Sequence, residues 1–403
     1  MGNAYYDSKQ TIQRISMKVL MPVGGFPTEY NPQSGVFNQV AAEYLAREVD
    51  LTVVHFRYFK PGRKLIDRKS FEGYKYIVVS VPTIPSLHKN WSWLHFQLYA
   101  FWIKKSLHKE LSKADLVHCV QGEIGVWFSK IKKGYPWKLT TQFIGTDLVS
   151  ELKEHRKKPW IRGWEEQLDG ASFNSQMLKE LFLTYYPNFQ GALKTIYRGV
   201  NLQRFSANGA RKELFTFLFI GGLANYHVGE GRNLKGGIDL LKAWSELSRA
   251  GKVDAIQLWF GGVDAVEDVI YDITPLENLQ NFKAMGPLTK DEVLAAYQAC
   301  QVVLVPSLQD GLPNVSVEAQ ACGKPVIGSK VGGIPESVVD GKTGLLFEAG
   351  DTKHLSETIL AISQNANLYH ELSSSARNHV RQNFNAENFG GAYFNFFKEV
   401  CAE

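Results

Sequence analysis

Short apolar runs rich in valine and isoleucine recur along this chain, each followed by a stretch of helical spacing. Met17–Val23, Leu51–Phe56, Tyr76–Val81, Leu116–Val120, Leu139–Phe143 and Ala171–Asn174 form a first series. Phe215–Ile220, Ile256–Phe260, Val302–Pro306 and Pro325–Ser329 form a second. Runs without polar alternation suit strands buried on both faces, as in a parallel sheet covered by helices. The alternation predicts a mostly parallel, doubly wound α/β architecture. Between the two series the pattern breaks into a polar connector, Tyr197–Ala210, and a chain of 403 residues suits two domains. We therefore divide it into a polar leader (1–16), a first domain (17–204), a second domain (205–385) and a last, aromatic-rich helix (386–403).

The densest segment is 302–348. After the apolar run comes a loop with an acid and a glycine, Asp310-Gly311, and then Pro313, which suits the first turn of a helix. That helix runs through Glu318 and stops at Gly323, with Pro325 beyond. The loop lies at the carboxyl end of a strand, where open α/β sheets bind ligands. Free N–H groups and the positive helix end favour a phosphate there. Asp310 and Glu318 flank that anion site and accept hydroxyl protons. Phosphate held by backbone and hydroxyls held by carboxylate together suit a nucleotide sugar.

Composition excludes several classes. The longest apolar stretch, Trp91–Ile103, is broken by Ser92, His95 and Gln97 and is too short to span a bilayer. The leader has no apolar signal core, and Tyr6 stands where a myristoylation start needs Ser or Thr. Four scattered cysteines (119, 300, 322, 401) form no CxxC pair, which predicts reduced thiols in a cytoplasm and neither zinc site nor disulfide frame. No GxGxxG follows the first strand, against a dehydrogenase. No Asp-x-Asp pair with metal spacing is present, so no metal ligand and no cofactor is assigned. Residues 1–200 hold 28 Lys+Arg against 17 Asp+Glu, whereas the remainder holds 17 against 23. The basic half suits an anionic membrane or a phosphorylated acceptor, and nothing points to nucleic acid. NWSWLHFQLYAFWIKK (90–105) is apolar nearly all round, which is more often core than membrane anchor. Its Trp and Lys content, with HFRYFKPGRK (55–64), also fits peripheral docking on the inner face of a membrane.

The motifs together resemble glycosyltransferase family four, the retaining enzymes of the GT-B fold, over about residues 17 to 390. MKVLMPVGGFPTEYNPQSGVFNQVAAEYLA is similar to the family's first strand, loop and helix, with Gly35 at the glycine that approaches the donor phosphate. DLVHCVQGE (115–123) resembles a strand carrying a His, here His118, and FIGTDL (143–148) resembles the "HG-x-D" turn, with Gly145 and Asp147. IYRGVNLQRF matches the "NGVD…F" connector, and FLFIGGL with LKGGIDLLKAW matches "GRL…KG…LL-A". FGG (260–262) and MGPLTKDEVLAAY (285–297) match two later strand-to-loop turns. This resemblance implies two Rossmann-like domains facing a cleft, with the last helix crossing back to the first.

It also implies roles. The donor would be held by Gly35, Gly221, Gly222, Lys235, Gly311, Leu312, Pro313, Asn314, Val315 and Glu318, with Glu318 on the ribose hydroxyls. Lys235 would meet the diphosphate, Asp310 the transferred hexose, and His118 would act at the reaction centre. Asp147 and Gly145 would contact sugar or acceptor. Three positions depart from the pattern: Asp310 replaces Glu, Gly222 replaces the diphosphate arginine, and Ile144 replaces the histidine of the turn. Arg232, from the loop before Lys235, is the expected substitute cation. The implied activity is retaining, metal-independent transfer of a hexose-type sugar from a nucleotide-diphosphate sugar to a glycan or lipid-linked acceptor in cell-surface polysaccharide synthesis. An epimerase or phosphorylase on the same fold, or a non-catalytic nucleotide-sugar-binding homologue, is the alternative.

Overall fold

The computed structural model describes residues 17–31, 34–71, 73–82, 92–206, 213–223 and 233–402. The leader, Arg232 and most of the loop before Lys235 lie outside the described residues. The first sheet comprises β1 (Lys18–Val23), β2 (Asp50–Tyr58), β3 (Ile66–Phe71), β4 (Tyr74–Val81), β5 (Leu116–Val120), β6 (Lys138–Phe143), β7 (Gly170–Phe173) and β8 (Ala192–Thr195). Its order is β3-β4-β2-β1-β5-β6-β7-β8. Only β3 runs antiparallel, pairing Ile66 with Val79 and Phe71 with Tyr74. The second sheet comprises β9 (Phe215–Ile220), β10 (Ile256–Gly261), β11 (Phe282–Gly286), β12 (Val302–Val305), β13 (Val326–Ser329) and β14 (Gly344–Phe347). Its order is β11-β10-β9-β12-β13-β14, all parallel.

The longer helices are α1 (Val36–Leu45), α2 (Trp93–Ser106), α3 (Gly122–Ile131), α4 (Gln176–Tyr185), α5 (Gly237–Arg249), α6 (Lys290–Ala299), α7 (Asn314–Ala321), α8 (Thr352–Ser363), α9 (Ala366–Asn383) and α10 (Glu387–Ala402). None is long and apolar enough to cross a membrane. The strand order reverses between β1 and β5 and again between β9 and β12. Crevices open at the carboxyl ends of the strands at such points, which sets where a ligand sits in each domain.

Every run named from the sequence is a strand, with ends shifted by a residue or two. The four strands without a named run are β3, β8, β11 and β14, and they are the four sheet edges. An edge strand has a side open to water, so it needs no continuous apolar run. β3 reads IDRKSF, with Arg68, Lys69, Ser70 and Phe71 exposed, and charged edges of this kind resist pairing with another chain. The aromatic 90–105 segment divides its faces. In α2, capped by Ser92, the residues His95, Phe96, Tyr99 and Ile103 are buried, while Trp93, Leu94, Leu98 and Phe101 are exposed; residues 90 and 91 lie outside the described residues.

The chain crosses between domains twice, and the crossings hold each other. Val200 N–H donates to the Phe384 carbonyl at 2.8 Å, and Ala386 N–H donates to the Val200 carbonyl at 3.1 Å. After the second crossing, α10 buries Phe389, Tyr393, Phe396, Phe397 and Val400 in the core of the first domain beside Val19, Leu51 and Leu116. Each fully buried aromatic contributes about 1.5–3 kcal/mol, so this helix is a structural part of the first domain. Gly390 makes the fit possible, because a Cβ there would meet the Tyr44 carbonyl at 2.6 Å.

A third tie lies on the opposite side of the connector. Glu336, in the second domain, accepts from Gln176 N–H at 2.6 Å and Met177 N–H at 2.9 Å, the first amides of α4 in the first domain. Tyr197 O–H donates to the same carboxylate at 3.0 Å. A negative charge on a helix N-terminus satisfies orphan donors and opposes the macrodipole. Glu336→Ala should therefore cost about 1–2 kcal/mol, as a lost N-cap does. Thermal denaturation should show a midpoint lower by about 2–6 °C, and small-angle scattering should show a larger radius of gyration as the domains separate.

Candidate functional site

Three helix N-termini open on the cleft, and none has a side-chain cap: α1 after Gly35, α5 after Gly236 and α7 after Pro313. Elsewhere α2, α4, α6, α8 and α9 are capped by Ser92, Ser175, Thr289, Asp351 and Asn365. The contrast matters because uncapped amides carry partial positive charge that an anion then satisfies. Two of the three caps are glycines with a close backbone approach. Gly35 has φ +59° and its Cβ would collide with the Gly25 carbonyl; Gly236 has φ +73° and its Cβ would collide with the Pro306 carbonyl.

Lys235 and Asp310 meet between α5 and α7. Lys235 Nζ donates to Asp310 Oδ2 at 2.5 Å. The Asp310 side chain is 11% exposed and that of Lys235 is 50% exposed, so the carboxylate fixes a cation whose other face is open. Leu308 N–H donates to the Leu234 carbonyl at 2.8 Å, joining the two loops that carry the pair. The backbone of Asp310 is clasped by Gly332 and Gly333: a Cβ on Gly332 would collide with the Asp310 carbonyl, and Gly333 N–H donates to that carbonyl at 3.4 Å.

Glu318 sits one turn into α7 and accepts from Tyr297 O–H at 3.0 Å. Burial pushes its carboxyl above the usual range, while the Tyr297 hydrogen bond and Arg204 pull it down. It lines a cavity of about 550 Å³ with Asn314 and, from the first domain, Phe37 and Tyr44 of α1. Arg198 and Arg204 of the connector border the same cavity. Arg198 stacks on Phe37 at 4.2 Å, and its Nε is buried with no hydrogen-bond partner among the described residues. Burial lowers its pKa to about 10, which still leaves it protonated near neutrality. The local sequence marks Arg198 only by its place directly before Gly199 in the connector.

The remaining positions expected to hold a donor are placed as follows. Gly311 touches the first domain backbone to backbone: a Cβ there would lie 3.0 Å from the Ile144 carbonyl and 3.2 Å from Gly145 Cα. Pro313 precedes the free amides of Asn314 and Val315. Leu312 is buried with Val380 and Phe384, so only its backbone is available. Gly221 lies beside Lys235, its would-be Cβ 3.0 Å from Lys235 Cβ. Gly222 has φ +63° and its Cβ would collide with the Val263 carbonyl, which explains why no arginine stands there. Arg232 lies outside the described residues.

Two assignments are corrected. His118 does not face the cleft. It is 2% exposed, shares a hydrogen bond with Thr140 Oγ1 at 2.9 Å and packs edge-on against Tyr393 of α10. Strand periodicity put it on the side of the sheet that α10 covers. Asp147 is 1% exposed and its carboxylate is consumed by four amides, those of Gly122, Ile144, Gly145 and Leu148. Burial raises its pKa and the four amides pull it back. Asp147 shapes the turn that presents Gly145 and holds the first amide of α3, so its carboxylate serves the local backbone.

Comparisons with known proteins agree with this geometry. Residues 225–379 match the family described as Glycosyl transferases group 1. An uncharacterised glycosyltransferase of Methanocaldococcus jannaschii is 26% identical over 90% of this chain and 93% of its own length. A D-inositol 3-phosphate glycosyltransferase of Saccharomonospora viridis is 27% identical over 72% of this chain and 70% of that protein. Among solved structures, sucrose-phosphate synthase from Thermosynechococcus elongatus superposes with a TM-score of 0.74 at 17% identity, covering 96% of this chain and 99% of that one. The Anabaena protein HepE, solved with UDP, gives 0.69 at 17% identity, covering 95% and 100%. The chain is thus similar to the group 1 glycosyltransferases, through its second domain above all, and it has the GT-B fold.

His118 supplies a pH test. Burial lowers its pKa to about 3 from the ordinary 6.5. Its neutral form is the folded one, so the unfolded chain binds the proton first as pH falls. Its contribution is whole above pH 6.5 and is lost progressively toward about 3, by about 2 kcal/mol at pH 5. In urea titrations at pH 7.5 and 5, His118→Gln should lose less stability on acidification than the unmodified protein. Its turnover should stay within about threefold, as a residue outside the cleft requires.

Proposed function

We propose that the protein transfers a hexose-type sugar, with retention, from a nucleoside-diphosphate sugar to a glycan or lipid-linked acceptor in cell-surface polysaccharide assembly. The observation that carries this reading is the Lys235–Asp310 pair set among uncapped helix N-termini. Departure of the nucleotide leaves charge on the diphosphate, and positive potential fixed in advance lowers that barrier most. Lys235, Arg198 and the helix ends supply it in a metal-independent way. Glu318, buried and held by Tyr297, suits the ribose hydroxyls, and Asp310 suits the hexose. HepE was solved with UDP and with UDP-glucose, which supports a nucleotide sugar as donor.

In the reaction so proposed, an acceptor oxygen forms the new bond to the anomeric carbon as the carbon–oxygen bond to the diphosphate breaks. The leaving phosphate oxygen takes the acceptor's proton on the same face of the sugar, so no protein base is required. Closure of the cleft would keep water from the donor. A second reading follows from Gly222 and Ile144, which lack the side chains that the family pattern places there. It is a homologue that binds a nucleotide sugar without turning it over. Donor binding with no product from any acceptor would favour it, and donor converted alone would mark an epimerase.

A calorimetric panel of UDP-, GDP- and ADP-sugars should find one preferred donor. Glu318→Ala should weaken it by about 10–100-fold, the range of a hydrogen bond to a charged group. Lys235→Ala should lower kcat by about 100-fold or more while changing donor affinity less.

Peripheral membrane contact by the first domain is part of the same proposal. Trp93, Leu94, Leu98 and Phe101 form the exposed face of α2, and Lys104 and Lys105 lie in its last turn. Apolar rings beside lysines suit the interface of an anionic bilayer. Liposome flotation at low salt should bring the protein up with anionic vesicles and leave it down with neutral ones, and Leu98→Asp with Phe101→Asp should abolish flotation.

A further inference from the structure

The connector carries a second arginine, Arg204, beyond Arg198. Asn201 sets its course. The Asn201 Oδ1 accepts from Gln203 N–H at 2.9 Å and Arg204 N–H at 3.0 Å, and Phe205 N–H donates to the Asn201 carbonyl at 2.9 Å. A side-chain acceptor that binds the amides just ahead of it fixes a tight turn. The turn delivers two side chains to α6. Arg204 Nη2 donates to Asp291 Oδ1 in the first turn of that helix at 2.9 Å. The Phe205 ring lies 6.2 Å from the ring of Tyr297 in the same helix.

Tyr297 joins this anchor to the cleft. It is fully buried, and its O–H donates to Glu318 at 3.0 Å. Arg204 and Glu318 line the same cavity. The connector therefore bears on one carboxylate in two ways. Phe205 packs against the tyrosine that donates to it, and Arg204 brings a positive charge to the wall it shares. Asp291 aims the guanidinium without cancelling it. The Asp291 side chain is 94% exposed against 40% for Arg204, so water screens the anion more than the cation.

Glu318 needs such a charge. Burial drives its carboxyl toward the neutral form, and the Tyr297 hydrogen bond and Arg204 drive it back. The groups packed closest to it are themselves neutral. Burial holds the Tyr297 hydroxyl well above its usual range and pushes the thiols of Cys300 and Cys322, which follow α6 and α7, up to about 12. Glu43 and Arg47 of α1, Arg198 of the connector and Lys290 of α6 also line the cavity. Among these described residues Arg204 is the one whose charge pulls on the Glu318 carboxyl.

We propose that Arg204 is a positioning residue for the donor half of the site: from the connector it keeps Glu318 a carboxylate, the form that accepts both hydroxyls of a ribose. The inference rests on the donor reading above, because Glu318 meets a ribose only if the cleft takes a nucleotide sugar. A protonated carboxyl turns one acceptor into a donor and so loses one of the two bonds. A hydrogen bond to the charged form is also about twice as strong as one to the neutral form.

The test is calorimetry on the full chain at about pH 8.5 and about pH 5.5, with whichever of the UDP-, GDP- or ADP-sugars binds. Without the arginine the carboxyl takes its proton at a higher pH, so acid weakens the donor sooner. The loss of affinity between the two pH values should be about threefold or more larger in Arg204→Gln than in the unmodified protein. Arg204→Lys should restore most of the original profile, and Glu318→Gln should bind weakly at both pH values. If acid weakens Arg204→Gln and the unmodified protein by the same factor, Arg204 is merely structural and the proposal is overturned. A double-mutant cycle in urea, Arg204→Gln against Glu318→Gln, reads the same pair without a donor. Its coupling should be present at the higher pH and shrink at the lower. If no donor binds, or Glu318→Gln binds as tightly as the unmodified protein, the donor reading fails. In that case an acid-sensitive coupling keeps Arg204 as the residue that charges Glu318, and no coupling overturns that as well.

Discussion

The site exists only while the carboxyl ends of two sheets face each other, and the carboxylate of Glu336 is one contact that holds them so. It binds two amides of α4 and the Tyr197 hydroxyl across the domain boundary. A charge on helix amides is a strong tie that still permits rotation, because its geometry tolerates small shifts that a packed core does not. The paired crossings at Val200 and Phe384–Ala386 act as the fixed side of the same joint. Glycine 311 lying on Ile144 and Gly145 shows how near the two backbones come.

Charge organises what the joint encloses. The helices α2, α4, α6, α8 and α9 are capped by side chains of their own N-cap residues, whereas α1, α5 and α7 have no side-chain cap. Lys235 is aimed by Asp310, and Arg198 by Phe37. Where the family pattern has an arginine, the Gly222 turn is pressed against Val263 and has no room for a side chain. A cation on the connector, Arg198, borders the cavity instead. Moving positive charge from a domain to the connector ties the electrostatics of the cleft to the closure of the two domains.

The legible and illegible parts separate for physical reasons. Interior strands show in the sequence because both faces are buried and the run must be apolar throughout, as in Val302–Val305. Edge strands such as IDRKSF and ALKT carry no such demand and pass for loops. The Asp310–Glu318 segment was readable because its signals are local: a loop acid, Pro313 at the helix start and Gly323 at its end. His118 and Asp147 were misread because a strand or turn position says which way a side chain points but not what covers it. For His118 the cover is α10, from the far end of the chain. For Asp147 it is the turn's own amides.

By itself the sequence determined the two series of buried strands, the helix ends beside them and the positions of Asp310 and Glu318 around one such end, since each follows from the local period of burial or from capping chemistry. Only the tertiary structure decided which charges share a space. Lys235 meets Asp310, Arg198 meets the cleft, and Arg204 shares a cavity with Glu318. Those meetings join residues far apart along the chain, and their energies depend on distance and burial, which no local pattern encodes.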